Sequence, residues 1–182
     1  MARPSDAKSR FIATAADLFR RRGYNGVGLT EIIEISGAPK GSFYHHFPGG
    51  KEELAEAAVE LATASLIRMI DRAFADATRF NDGLARFTAA VAQILENSGW
   101  QAGCPVTAIA LTAVPESARL HTAVQAALDA LLACLAAHAV RLGEPDAARN
   151  RALRFFSALE GAWILARIQR STQPFELVLE TA

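Results

Sequence analysis

Eight consecutive residues, Lys40-Gly41-Ser42-Phe43-Tyr44-His45-His46-Phe47, concentrate polar chemistry early in the chain. Lysine and histidine can donate to phosphates or guanine edges, and serine bonds to either. Tyrosine presents a hydroxyl on a stiff ring, and glycine lets a backbone come close. Phe43 and Phe47, four residues apart, share one helix face and turn inward as core. That leaves Lys40, Gly41, Ser42, Tyr44, His45 and His46 on the outer surface. Thr30 and Lys51 each stand near the start of another helix, where backbone N–H groups favour a phosphate. The two histidines do not read as a metal site. Successive helical side chains diverge by about 100°, and no third ligand lies nearby in the sequence.

A reader of this kind needs positive charge, which the total conceals. The 182 residues hold 19 Lys and Arg against 19 Asp and Glu. Residues 1–51 carry eight basic against four acidic residues, an excess of +4, and residues 52–182 carry the compensating −4. A basic first quarter joined to an acidic remainder fits a polyanion-binding module attached to something else. Hydrophobic residues at 51% suffice for a core and exclude an intrinsically disordered chain. No stretch of about 18 to 20 uninterrupted apolar residues is present, and nothing at the start reads as a signal peptide. The expectation is a cytoplasmic protein without a membrane partner. Cys104 and Cys134 have no CxxC spacing, so neither a disulfide framework nor a zinc site is expected.

The elements that must hold the surface in place are helical throughout. Phe11, Ala15, Leu18 and Phe19 fall on one face of a first helix, widened by Ile12 and Ala16, with Ser5 as cap and Gly23 as its end. Thr30 is expected to cap a second helix that stops at Ser36-Gly37. Pro39 suits the first position of a third helix over Lys40–Phe47, which Pro48-Gly49-Gly50 stops. A long fourth helix runs from Lys51 to about Ala77. Further helices are expected over about 82–97, 105–112, 117–142 and 146–171, with a short one after Pro174. The fold class is therefore all-α, with about nine helices. The Ser36-Gly37 turn between two short helices has helix-turn-helix geometry, in which the second helix enters the major groove.

The run from Gly37 to Phe47, followed by Lys51-Glu52-Glu53-Leu54, resembles the N-terminal signature of the TetR/AcrR family of transcriptional regulators. Phe19, Gly23, Tyr24 and Thr30 match its first two helices. The similarity is specific over about residues 8–60. Gly103-Cys104-Pro105-Val106 and Leu159-Glu160-Gly161-Ala162 resemble a branch containing lincomycin- and multidrug-resistance regulators. Ala38-Pro39 stands where the family more often has Val-Ser, and Pro48-Gly49-Gly50 is one residue longer than the usual link.

The resemblance implies a helix-turn-helix DNA-binding domain over residues 1–50 and a helical ligand-binding and dimerisation domain over 51–182. It implies a homodimer that reads a palindromic operator in double-stranded DNA, as a repressor released by a small-molecule inducer. The expected DNA contacts are Thr30, Lys40, Gly41, Ser42, Tyr44, His45, His46 and Lys51. A pocket would draw on Phe87, Ile94, Trp100, Val106, Ile109, Phe155, Leu159 and Trp163, a set without charges that suits a lipophilic inducer. A glycine in mid-helix costs about 1 kcal/mol relative to alanine, so Gly161 needs a reason such as a close helix crossing. Phe156, Ser157, Gly161, Ile164 and Ile168 are accordingly expected at the dimer interface.

No cofactor, metal or catalytic role is expected. The serines lack a nucleophile-elbow setting, no HExxH or P-loop is present, and Gly49-Gly50-Lys51 lacks the earlier spacing of a phosphate loop. A helical small-molecule carrier or scaffold would account for residues 60–182 but not for the outward surface of the third helix.

Overall fold

In the computed structural model, which describes residues 4–180, Phe11, Ala15 and Phe19 are wholly buried along one face of α1 (Pro4–Arg22). The flanking Ile12, Ala16 and Leu18 are half-buried, as the edges of an amphipathic stripe should be. Gly23 then turns the chain with φ +72° and donates its N–H to Phe19 O at 2.7 Å. A Cβ there would lie 3.0 Å from Thr112 Cγ2, so both the backbone sign and the close approach call for glycine.

The helices that follow are α2 (Leu29–Ser36), α3 (Phe43–His46), α4 (Gly50–Phe74) and α5 (Phe80–Asn97). After them come α6 (Pro105–Ala113), α7 (Ala118–Arg141), α8 (Ala148–Gln169) and α9 (Gln173–Glu176). Short 3-10 turns cover Lys40–Ser42 and Val178–Glu180. Among the described residues there is no strand, so the all-α expectation holds.

Several boundaries differ from the sequence reading. Ser5 already lies inside α1. Thr30 is not the cap of α2: Gly28, in extended backbone, holds that position without a side-chain cap, and Thr30 sits in the first turn. The third helix is shorter than expected, because Pro39 precedes a 3-10 turn and only Phe43–His46 is α-helical. α4 begins one residue early and ends at Phe74 rather than Ala77. α8 starts at Ala148 and ends at Gln169, closed by Arg170 in left-handed backbone with φ 50°.

Two compact units form. The first joins the residues up to Thr63 to Pro105–Ala127. Its core is an aromatic cluster: the Phe11 ring meets Phe43 edge-on at 5.3 Å and Phe47 at 6.3 Å, and Phe43 lies 5.4 Å from Phe47. Such pairs add about 0.5–1.5 kcal/mol each beyond the area they bury. α1 packs on α2 and on α6. The α6 contact is tied by Tyr24 N–H donating to Thr112 Oγ1 at 2.9 Å and Asn25 Nδ2 donating to Thr112 O at 2.6 Å. Ser117 caps α7 by accepting from Leu120 N–H at 3.0 Å, and its hydroxyl donates to Glu52.

The second unit holds Ala64–Cys104 and the chain from Leu128 onward. The Phe74 ring lies 5.3 Å from Phe80, and a Cβ on Gly83 would come within 2.3 Å of Phe74. Phe87 and Phe155, 6.3 Å apart, join α5 to α8. Trp163 Nε1 donates to Ala102 O at 2.9 Å, which satisfies the one polar atom of a buried indole. By length and composition α7 is apolar enough to cross a membrane. Leu120, Leu131, Leu132 and Leu135 on it are buried in the protein's own core.

Candidate nucleic-acid interface

The candidate surface is built on the aromatic cluster. Phe43 and Phe47 are 0% and 1% exposed, so the backbone between them is held from below and its other side chains must point away. Tyr44 is 63% exposed, and Lys40, Gly41 and His45 are exposed beside it. A Cβ on Gly41 would meet nothing within 4 Å, so the backbone there is open to a close approach. Ser42 is half-buried and its hydroxyl donates to Pro39 O at 2.7 Å, which turns it toward its own 3-10 turn. His46 is half-buried, with its ring 6.5 Å from Phe47 and 5.2 Å from His45.

The turn before this segment is fixed by local hydrogen bonds. Gly37 takes φ +59° and donates to Glu34 O at 3.1 Å. The buried Ser36 hydroxyl donates to Ile33 O at 2.7 Å and accepts from Ala38 N–H at 3.1 Å. The left-handed glycine reverses the chain, and Ser36 supplies the partners the reversal would otherwise leave unmade. Thr30 is exposed in the first turn of α2, where N–H groups point outward.

Lys51 takes a different position from the one expected. Its ammonium donates to Tyr24 O at 2.7 Å and lies 4.0 Å from the centre of the Tyr24 ring. Burial there pushes the Lys51 pKa down from its ordinary value, since the charged form loses hydration. Lys51 is thus a tie between α4 and the end of α1, and Tyr24 is packing, 5.6 Å from the Phe19 ring. The arginines that close α1 are paired as well: Arg20 and Arg21 with Asp17 at 2.6 and 3.0 Å, and Arg22 with Glu31 at 2.7 Å. Of the expected contacts, Thr30, Lys40, Gly41, Tyr44 and His45 are therefore the exposed ones.

The expected pocket residues are divided. Phe87, Ile94, Trp100, Phe155, Leu159 and Trp163 belong to the second unit, whereas Val106 and Ile109 lie on α6 in the first. Ile94 and Trp100 are half-buried and the other six are buried. Two apolar grooves of about 260 and 200 Å³ occur in the second unit. Neither is lined by any of the eight. The larger is bounded by Ala158, Gly161, Ala162, Leu165, Pro174 and Leu177, and Val178 completes it. Of the expected interface residues, Ser157, Gly161, Ile164 and Ile168 are exposed, but Phe156 is 8% exposed and packs into its own chain. The close crossing inferred from Gly161 could not say which of two apolar faces of the helix the chain would bury itself.

Two short helices joined by a left-handed glycine, with polar side chains standing outward from an aromatic floor, define a helix-turn-helix DNA-binding regulator. Residues 11–58 match the family described as "Bacterial regulatory proteins, tetR family". Residues 81–181 match "Transcriptional regulator LmrA/YxaF-like, C-terminal domain". The chain belongs to the TetR family and is a DNA-binding transcriptional regulator. It is 33% identical over 180 residues to the uncharacterized HTH-type transcriptional regulator Rv0196 of Mycobacterium tuberculosis H37Rv, covering 94% of this chain and 89% of that one. To the HTH-type transcriptional regulator LmrA of Bacillus subtilis it is 56% identical over 54 residues, 30% of this chain and 29% of that one. In fold it is similar to a TetR regulatory protein from Rhodobacter sphaeroides, with TM-score 0.84 at 24% identity, covering 96% of both chains.

Proposed function

We propose that this protein is a homodimeric repressor that leaves a palindromic operator when a small lipophilic molecule binds its effector part. The observation that carries the reading is the exposed Lys40-Gly41-Tyr44-His45 surface over the buried Phe43 and Phe47. A carrier or scaffold has no use for that arrangement. Residues 1–50 act as the DNA-binding part and 51–182 as the effector and dimerisation part, in a cytoplasmic protein without catalytic activity. Tyr44, His45 and Lys40 contact base edges and phosphates, Gly41 admits the backbone, and Thr30 offers a phosphate site at the start of α2. Ser42 and His46 sit at the margin of this surface, and Lys51 positions it.

A second copy of the chain is the occupant that best suits the outer face of α8. Ile164, Leu165 and Ile168 are 49%, 51% and 72% exposed there, and Leu177 beside them is 55% exposed. Gly161 stands among them, and nothing in its own chain lies within 4 Å of where its Cβ would be. A mid-helix glycine with no reason inside the chain is accounted for by a helix crossing closely from a partner. Two reading helices then meet half-sites about 34 to 36 Å apart only if the dimer holds that spacing.

The effector's signal has a short path inside the first unit. α6 packs on α1, and Thr112 holds Tyr24 and Asn25 at the end of α1. A ligand that displaces α6 therefore moves the helix on which the reading segment rests. Differential affinity of about 1–3 kcal/mol would weaken operator binding roughly 5- to 150-fold. Gel-shift titration on a palindromic duplex tests the reading. Specific binding should fall steeply with salt and weaken on addition of inducer. If every small molecule that binds leaves operator affinity unchanged, the inducer role fails, and if no duplex is preferred over random DNA, the regulator reading fails with it.

A further inference from the structure

Outside the reading surface, one cluster brings together three side chains that bind metals, and all three lie in the second unit. Asp71 on α4 faces Cys134 and His138 on α7. The last two are four residues apart, so they share one helix face, the spacing by which helices present paired ligands. Asp71 Oδ1 lies 2.9 Å from His138 Nε2 and 3.6 Å from Cys134 Sγ, and the three ligand atoms all fall within 4.8 Å of one another. Zinc bonds of the usual lengths in a tetrahedron separate ligand atoms by about 3.4–3.6 Å. The thiol–carboxylate distance already fits. The carboxylate–imidazole pair must open by a few tenths of an ångström.

We propose that Asp71, Cys134 and His138 form a binding site for a divalent transition cation of the zinc class. A thiolate, an imidazole and a carboxylate together suit zinc better than calcium or magnesium, which take oxygen ligands. Three protein ligands leave a fourth position for water or an incoming donor. The Asp71 side chain is 56% exposed, so the site opens to solvent. Its inner wall is rigid: the His138 ring stacks on Phe74 at 4.5 Å, tilted by 17°, which sets the direction of Nε2.

Binding requires two protons to be rearranged. The Cys134 thiol gives its proton to solvent. Burial and the Asp71 carboxylate hold that proton, pushing the thiol pKa up to about 12, and a cation between the two reverses the sign of the local field. His138 must release Nε2–H, which donates to Asp71, and carry its proton on Nδ1 instead. Arg141 Nη2 lies 3.4 Å from Nδ1 and can only donate, so it must turn aside while keeping its 2.9 Å bond to Phe74 O. The competing arrangement is a plain Asp71–His138 hydrogen bond between α4 and α7, with Cys134 as a bystander.

Spectroscopy on the untagged, reduced, full-length protein separates the two. Co²⁺ should bind once per chain with a near-ultraviolet thiolate-to-cobalt charge-transfer band, and Zn²⁺ should displace it. The band should persist in Cys104→Ser, disappear in Cys134→Ser, and need at least about 100-fold more cobalt in Asp71→Asn and His138→Gln, given that even outer-shell changes cost 10- to 100-fold. Helical circular dichroism of each variant shows that the chain is folded. The site is overturned if excess Co²⁺ produces no such band in the unmodified protein, or if the band survives in Cys134→Ser. Cobalt affinity of folded Asp71→Asn or His138→Gln within about threefold of the parent overturns the three-ligand assignment.

Discussion

The reading segment and the outer face of α8 are both exposed, yet they expose opposite chemistry. Lys40, Tyr44 and His45 stand as polar side chains over a wholly buried phenylalanine pair, whereas Ile164, Leu165 and Ile168 stand as apolar side chains around a bare glycine. A surface that has already buried its apolar residues and still presents donors has no hydrophobic debt to settle; it suits a charged, hydrogen-bonding partner. A surface that leaves large aliphatic side chains in water is incomplete by itself and suits another apolar surface. Under the proposed function the two faces take different partners, DNA for one and a second copy for the other, and mutations should separate them.

The largest effect should come from the floor beneath the reader. Phe43→Ala removes a wholly buried ring that touches Phe11 and Phe47, and should cost about 3–5 kcal/mol of stability in chemical denaturation, with DNA binding lost alongside. Ile168→Asp should leave the fold intact but weaken self-association by about 2 kcal/mol or more, read as a shift toward monomer in sedimentation at micromolar concentration. An unchanged dimer would remove α8 from the interface. Tyr44→Ala should weaken operator binding by about 1–3 kcal/mol while changing the unfolding midpoint by no more than about 0.5 kcal/mol equivalent. Equal loss of fold and binding would place Tyr44 with Phe43 in the core. The smallest effect belongs to Thr112→Val, which removes the acceptor for Tyr24 N–H at a cost of about 1 kcal/mol. It should blunt the response to inducer more than it changes operator affinity, and an undiminished response would clear the α6–α1 contact of any relay role.

Much of the fold was legible because short-range rules govern it. The α1 stripe, the glycine ends at Gly23 and Gly37 and the inward Phe43 and Phe47 follow from periodicity and from the few residues that tolerate left-handed backbone. Thr30 misled because it has the right side chain for a cap, but the backbone turn falls two residues earlier at Gly28, where no side chain caps at all. Lys51 shows a related limit. Its helix-start position favours a phosphate, and only the fold reveals that Tyr24 O and the Tyr24 ring already hold the ammonium.

The candidate site divides along the same line. Residues 40–47 could be read locally because their inward and outward faces alternate within eight positions. Phe156, by contrast, lies on a helix with two apolar faces, and its burial depends on which one the rest of the chain covers. The Asp71, Cys134 and His138 cluster was half visible: Cys134 and His138 are four apart, but Asp71 lies more than 60 residues upstream. A search by spacing alone passes over it.

By itself the sequence determined that this chain is helical throughout, where its short helices turn, and that a basic, outward polar surface sits near its start. Those properties arise from side-chain periodicity and backbone preference over a few residues. Tertiary structure alone decided that α6, about 80 residues beyond α1, packs against α1, that Lys51 ties α4 to Tyr24, and that Asp71 meets Cys134 and His138. Each of these depends on contacts between segments far apart in the chain, which local spacing cannot encode.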